Sequence, residues 1–154
     1  MRSTVIRGAL VVLGGFVAIS AIAGAIWVVP TMPLEWLKFG PFTDWTVPAL
    51  ALGFCGGLAA VTTVALLVRP WAGALLSMAA GLAMVVFELV EIGVVGWTLS
   101  DPTLEGFQKS LQLVYLVVGG AQLALGMVLW RRTRSGAPVI PVLHPARLGG
   151  AAPR

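Results

Sequence analysis

The sequence predicts an all-α membrane protein, a four-helix transmembrane bundle, from its composition, its four apolar runs and the placement of its basic residues. Of the 154 residues, 58 % are hydrophobic and only 10 % are charged. A soluble domain carries about 25 % charged residues, so this chain has too few charged groups for an ordinary soluble surface. The composition therefore indicates an integral membrane protein.

The four apolar runs give the predicted helices, at about 8–29, 46–68, 72–98 and 109–130. Each run has about the 20 residues that a helix needs to cross ~30 Å of hydrocarbon. Strands of a membrane barrel alternate apolar and polar residues over about 10 positions, whereas these runs are apolar on every side. The runs therefore predict one transmembrane domain over residues 1–130.

Prolines mark the ends of the runs. Pro30 and Pro33 end the first run, and Pro48 lies in the first turn of the second, where a missing N–H costs little. Arg69-Pro70 leaves room only for a tight turn between the second and third runs. The outer loop over 30–45 is rich in aromatic and leucine residues, so either a short interfacial helix or a plain loop fits it.

Eight of the ten basic residues fall on one side of the predicted membrane. They are Arg2, Arg7, Arg69, Arg131, Arg132, Arg134, Arg147 and Arg154. The positive-inside rule then predicts that both termini are cytoplasmic, with the chain in the cytoplasmic (inner) membrane. These topology determinants account for the net charge of +4, and no basic groove with interleaved aromatic residues indicates a nucleic-acid partner.

The two ends of the chain have their own signals. The first run could instead be a cleaved signal peptide, because Arg2 and Arg7 precede an Ala21-Ile22-Ala23 pattern. Its length exceeds the 7–15 apolar residues usual in a signal peptide, so we expect a retained helix. The tail over 131–154 is basic and rich in Pro, Gly and Ala, and we expect it to be disordered in the cytoplasm.

Small residues recur every four positions in the second and third predicted helices, which indicates close helix packing in lipid. They are Ala49, Gly53 and Gly57 in the second helix and Gly73, Ser77 and Gly81 in the third. Packing within the bundle is our interpretation of these residues. A seam between two copies of the chain is the alternative.

Glu88 and Glu91 are the only ionisable groups well inside a predicted span. At about 100° per residue they continue the small-residue face of the third helix, so they point into the bundle or at a partner. Gln112 and Tyr115 fall at a similar depth in the fourth helix, on a face that also carries polar or small residues. Its other members are Gln108, Gly119, Gln122 and Gly126.

We therefore expect a polar pocket in the outer half of the bundle that binds a ligand or a proton. Its predicted residues are Glu88, Glu91, Gln112 and Tyr115, with Ser20 and Cys55 at its periphery. One glutamate is expected to carry a proton, because both are desolvated and like-charged. A protonated glutamate that is hydrogen-bonded to Gln or Tyr can simply stabilise helix packing. The alternative is a functional site, which an intramembrane carboxyl group often marks.

No catalytic residue, metal site or cofactor is predicted. The single Cys and single His exclude an internal disulfide and the usual metal motifs, and the sequence has no GxSxG, HExxH or phosphate-binding loop motif. The glycine pairs lie inside apolar runs, so they indicate packing instead of phosphate binding.

Three short motifs carry a resemblance. They are Pro41-Phe42-x-Asp44-Trp45-x-x-Pro48, Glu91-x-Gly93 and Gln112-x-x-Tyr115-x-x-x-Gly119. On these residues the chain resembles a group of small uncharacterised bacterial integral-membrane proteins with four predicted transmembrane helices. The likeness runs from helix one to helix four and excludes the tail. It departs at Ala49, where that group often has Gly, and it implies the topology but no activity.

The sequence favours a non-enzymatic accessory or structural subunit of the cytoplasmic membrane. The lipid bilayer is one expected partner, and a second copy or a larger membrane protein is another. The alternative is a small homodimeric proton- or cation-coupled transporter or channel that uses Glu88 or Glu91. A membrane enzyme acting on lipid is a second alternative.

Overall fold

The computed structural model describes residues 3–32, 34, 42–95 and 102–135, with side chains at all of these except 94–95 and 102–108. It contains four helices, α1 (Ser3–Thr31), α2 (Thr46–Val68), α3 (Pro70–Val95) and α4 (Pro102–Arg134). Each is long and apolar enough to cross a membrane, and the described residues include no strand. The predicted all-α four-helix class is confirmed, and the spans are those of a multi-pass membrane protein.

Two helices extend further than the apolar runs. Pro30 lies inside α1, which continues to Thr31, because the helix loses only one backbone donor there and Met32 N still donates to Val28 O at 3.0 Å. The prediction that Pro30 ends the helix is therefore wrong. α4 continues to Arg134, whose guanidinium lies 4.3 Å from the centre of the Trp130 ring. Thus 131–134 are helical.

Several predictions fall on residues that lie outside the described part of the chain. They concern most of the outer loop, the end of the third predicted helix beyond Val95, and the tail from residue 136 onward. The predicted interfacial helix and the predicted disorder of the tail stay predictions.

The helices pack as an antiparallel ring in chain order. α1 packs on α2, α2 on α3 and α3 on α4, while α4 closes the ring against α1. Only Arg69 separates α2 from α3, which confirms the predicted tight turn. Arg7 Nη2 donates to Leu67 O at 2.6 Å, so the start of α1 and the end of α2 lie at the same end. We call this end, which also holds Arg69 and Arg131, the basic end.

Two apolar clusters fill the interior. The basic-end cluster consists of Ile6, Leu10, Leu66, Ala74 and Leu129. The central cluster consists of Val17, Ala18, Ala21, Cys55, Ala59 and Met84. Every helix contributes to the first of these, and α1, α2 and α3 contribute to the second, so the interior is apolar at two levels.

A polar layer separates the two clusters. It contains three buried polar residues, Thr62 of α2, Ser77 of α3 and Gln122 of α4, together with the buried Gly14 of α1. Gly14 lies between Leu10 and Val17 along α1, and Thr62 lies between Ala59 and Leu66 along α2. The bundle interior therefore alternates along its axis between apolar and polar levels.

Glycines allow the closest helix contacts. A Cβ atom at Gly73 would lie 2.5 Å from the Leu66 backbone, and one at Gly81 would lie 2.5 Å from the Gly119 carbonyl oxygen. Ser77, between them, is buried and donates to Gly73 O at 2.8 Å. In the absence of a hydrophobic force between helices in lipid, such close approach is the main source of packing energy.

The packing face of α2 differs in part from the prediction. Ala49 is buried, and a Cβ atom at Gly53 would make an ordinary 3.6 Å contact with Ala25. A Cβ atom at Gly57 would meet open space, whereas one at Gly56 would lie 2.8 Å from Ile22. Steps of four residues drift by about 40° each on a helix, so the contact face returns at Gly56 and the predicted packing at Gly57 is not found.

The start of α2 is held by Asp44. Its Oδ1 accepts a hydrogen bond from Thr46 N–H at 2.8 Å, which satisfies one free donor of the first turn. This hydrogen bond holds the pKa of Asp44 below its ordinary value, although the side chain is exposed. Pro48 lies in the first turn, as predicted.

Gly56→Ala and Gly57→Ala provide a matched pair that tests this packing. Both changes add one methyl group and raise helix propensity equally, but only the methyl group at position 56 meets Ile22. We expect Gly56→Ala to lower the free energy of unfolding by about 1–3 kcal/mol, as overpacking does, and Gly57→Ala to have no such cost. Reversible unfolding in bicelles measures both, and equal effects would contradict the α1–α2 contact.

Candidate functional site

The predicted pocket residues lie toward the end of the bundle opposite the basic end. Glu88 is 1 % exposed and Gln112 is 3 % exposed, while Glu91 and Tyr115 are half-buried. Glu88 follows Met84 by one turn of α3, so it lies next to the central cluster, about 10 Å from the end of α3 at Val95. Both carboxyl groups therefore face into the protein, as the helical spacing predicts.

Glu91 and Gln112 form a link between α3 and α4. Gln112 Nε2 donates to Glu91 Oε1 at 3.4 Å, which is long for a hydrogen bond between N and O. The pair depends on the packing of α3 against α4, because Gly81 and Gly119 fix how the two helices align. The structure thus brings together two of the four residues predicted for the pocket.

Glu88 is a buried carboxyl with incomplete hydrogen bonding. Its Oε2 atom is buried and has no hydrogen-bond partner among the described residues. Carboxylate charge in an apolar interior is costly unless donors or a cation compensate it. Glu88 is therefore the least satisfied polar group at this level of the bundle.

Tyr115 faces apolar surroundings. Its ring packs against the central cluster, and its centroid lies 6.4 Å from that of Phe16 at an interplanar angle of 36°. The aromatic ring thus joins α4 to α1. Its observed contribution is packing against the central cluster and against Phe16.

The two peripheral residues have separate environments. Ser20 Oγ donates to Phe16 O at 2.7 Å, so its hydroxyl serves its own helix. Cys55 is a free thiol buried in the central cluster, where it behaves as a small apolar side chain.

Two buried polar residues were not among those predicted for the pocket. Thr62 Oγ1 and both polar atoms of the Gln122 amide are buried with no hydrogen-bond partner among the described residues. Gln122 lies on the predicted polar face of α4, but seven residues, or about 10 Å, beyond Tyr115 toward the basic end. Thr62 gave no signal in the sequence beyond its position in an apolar helix. These two residues belong to the polar layer.

The described residues include no group of three or more His, Cys, Asp or Glu side chains that could hold a metal ion. Comparisons with protein-family models, curated proteins and solved structures find no match. The resemblance to small bacterial membrane proteins therefore stays a prediction.

A double-mutant cycle measures the link between Glu91 and Gln112. We expect Glu91→Leu and Gln112→Leu to show a coupling of about 0.6 kcal/mol, typical of hydrogen bonds between membrane helices. The free energy of unfolding in bicelles supplies the four values. Leu113→Ala is the control partner for Glu91→Leu, because Leu113 follows Gln112 on α4 but is exposed. Coupling no larger than in that control pair would contradict the hydrogen bond.

Proposed function

We propose that this chain is a non-enzymatic accessory or structural subunit of the cytoplasmic membrane, with both termini in the cytoplasm. The observation that carries this proposal is the division of the bundle interior by the central cluster. Val17, Ala21, Ala59 and Met84 are all at most 1 % exposed, and they lie between the polar layer and Glu88. A proton or ion moving along the bundle axis would have to cross this apolar level.

The outer surface supports a role within lipid. Large apolar side chains are exposed along all four helices, including Val12, Ile19 and Ile26 on α1. In a membrane these side chains contact acyl chains or the apolar surface of a partner helix. They fit a lipid-embedded subunit, and they leave a second membrane protein or a second copy as a partner.

The packing of α1 supports a retained first helix. Leu10, Val17 and Ala21 are buried in the two apolar clusters, and Arg7 bonds to the end of α2. Cleavage after Ala23 would remove all of these contacts. A signal peptide has no need of such contacts, so they favour a permanent span.

The charge distribution supports the orientation. Among described residues, the basic end holds Arg7, Arg69 and the arginines of the last turn of α4, and no acidic residue. Asp44, Glu88 and Glu91 all lie nearer the opposite end. By the positive-inside rule the basic end faces the cytoplasm.

Cysteine accessibility tests this orientation. In a Cys55→Ala background, Thr43→Cys and Ser135→Cys each place one exposed thiol at opposite ends of the bundle. We expect a membrane-impermeant maleimide to label position 43 in cells whose outer membrane is permeable and whose cytoplasmic membrane is intact. Position 135 should react only after the cytoplasmic membrane is opened. The reverse pattern would contradict cytoplasmic termini.

A proton- or cation-coupled transporter is the second candidate, and the burial of Glu88 favours it. An intramembrane carboxyl is costly and usually serves a function. Glu88 Oε2 has no hydrogen-bond partner among the described residues, so packing alone gives no reason for an acid at this position. In this alternative, Glu88 would take up and release a proton or bind a cation.

Flux measurements separate the two candidates. Purified protein is reconstituted into liposomes that contain a pH-sensitive dye, and Glu88→Gln is compared with Glu91→Gln and with the wild type. For the proposed subunit we expect all three to match protein-free liposomes, and cross-linking in native membranes to yield one larger membrane protein in fixed ratio. Wild-type proton flux that Glu88→Gln abolishes, in a variant that unfolds like the wild type, would favour the transporter.

A further inference from the structure

Arg7 is held at the contact between α1 and α2, at the basic end of the bundle. Its Nη2 atom donates to Leu67 O at 2.6 Å, and the side chain is half-buried. We call the outer side of this contact, with Arg7, Gly15, Gly57, Val64 and Leu67, the α1–α2 groove. We propose that Arg7 binds the phosphate group of an anionic phospholipid whose acyl chain lies along this groove. The inference holds whichever side of the membrane the basic end faces.

The guanidinium of Arg7 keeps most of its donors for a ligand. A guanidinium has five N–H donors in a planar fork, and among the described residues the Arg7 side chain donates only to Leu67 O. The fork matches two oxygens of a phosphate group at once. Because the bond to Leu67 O already restricts the side chain, binding a phosphate costs less rotamer freedom.

The basic end offers Arg7 no acidic side chain. The segments that begin, end or join helices at this end are 1–10, 66–74 and 129–154, and their sequences contain no Asp or Glu. All six acidic residues of the sequence fall elsewhere. They are Glu35, Asp44, Glu88, Glu91, Asp101 and Glu105. These segments therefore supply no carboxylate to pair with Arg7, and an anionic ligand can take that place.

Arg69 adds a second positive charge at this end of α2. It is the single residue between α2 and α3, two positions after Leu67, so its backbone is adjacent to the carbonyl group that Arg7 binds. The Arg69 side chain is exposed. Basic pockets between helices at a membrane surface bind anionic headgroups, and each arginine near such a surface adds to the attraction. The charge at the head of the groove thus favours an anionic lipid over a zwitterionic one.

The groove beneath Arg7 is open and apolar. At about 100° per residue, Gly15 lies within about 80° of Arg7 around α1, and Gly57 lies within about 80° of Leu67 around α2. A Cβ atom at either glycine would meet no atom within 4 Å, and Val64 and Leu67 are both more than half exposed. Gly57 lies about 15 Å along α2 from Leu67, which is half of the ~30 Å hydrocarbon core. A groove of this length fits an acyl chain, so a phospholipid matches the site better than a free anion does.

Native mass spectrometry of the full chain in detergent tests this site. The protein is offered equal amounts of phosphatidylglycerol and phosphatidylcholine, which have the same acyl chains and differ in net charge. For the first bound lipid we expect the wild type to prefer phosphatidylglycerol by more than about fivefold, the effect of one arginine at an anionic surface. Arg7→Gln should lower this preference about fivefold. Equal binding of the two lipids by the wild type would overturn the proposal without any variant.

Two charge variants separate this site from a general effect of positive charge. Arg131→Gln makes the same charge change at the same end, but Arg131 is exposed on α4, outside the groove, so it should change the preference less than Arg7→Gln does. Equal losses in these two variants would overturn the site. Arg69→Gln leaves the bond between Arg7 and Leu67 O in place, so it serves where Arg7→Gln fails to fold. It too should lower the preference more than Arg131→Gln does.

A matched glycine pair tests the acyl chain. A Cβ atom at Gly57 or at Gly120 would meet open space, so leucine fits at both positions, but only position 57 lies in the groove. We expect Gly57→Leu to weaken phosphatidylglycerol binding more than about twofold and Gly120→Leu to leave it unchanged, and equal effects would contradict the groove. Displacement of bound phosphatidylglycerol by inorganic phosphate would identify a free-anion site and overturn the assignment to a lipid.

Discussion

The close approach of α3 and α4 is the constraint on which the rest of the bundle depends. Helices in lipid gain little from burying apolar surface, so they associate where small residues let their backbones meet. Gly81 and Gly119 meet in this way, and a Cβ atom at Gly126 would lie 3.0 Å from Ala74 O. These contacts set the relative height of the two helices. That height places Gln112 beside Glu91 and the Cβ of Gln122 against Gly81.

Polar groups in the interior occur at two levels with different chemistry. The level of Glu88, Glu91 and Gln112 can carry charge and lies about 6–10 Å from the end of α3. The polar layer is neutral and lies between two apolar clusters. Because the central cluster lies between the two levels, a substitution at one level makes no direct contact with the residues of the other. This separation favours a static role for the bundle over conduction along its axis.

The two carboxyl groups differ although they are one turn apart on one helix. Glu91 is half-buried and accepts a hydrogen bond from Gln112, so it acts as a tie between helices. Glu88 is buried beside apolar residues, with Oε2 unpartnered among the described residues. A structural bundle explains Glu91 directly. Glu88 is the residue on which a transport function would depend, and this contrast makes the matched glutamine variants informative.

The sequence by itself determined the four spans, the tight turn at Arg69-Pro70 and the inward direction of Glu88 and Glu91. These follow from local properties: the length of an apolar run, the chemistry of proline and the angle per residue of a helix. Only the tertiary structure decided which partners meet. It shows that Gly56, and not the predicted Gly57, makes the α1–α2 contact. It also shows that the Ser20 hydroxyl bonds within its own helix and that Thr62 and Gln122 lie at a second polar level. Such pairings depend on the relative heights and rotations of neighbouring helices, and the periodicity of a single helix does not contain them.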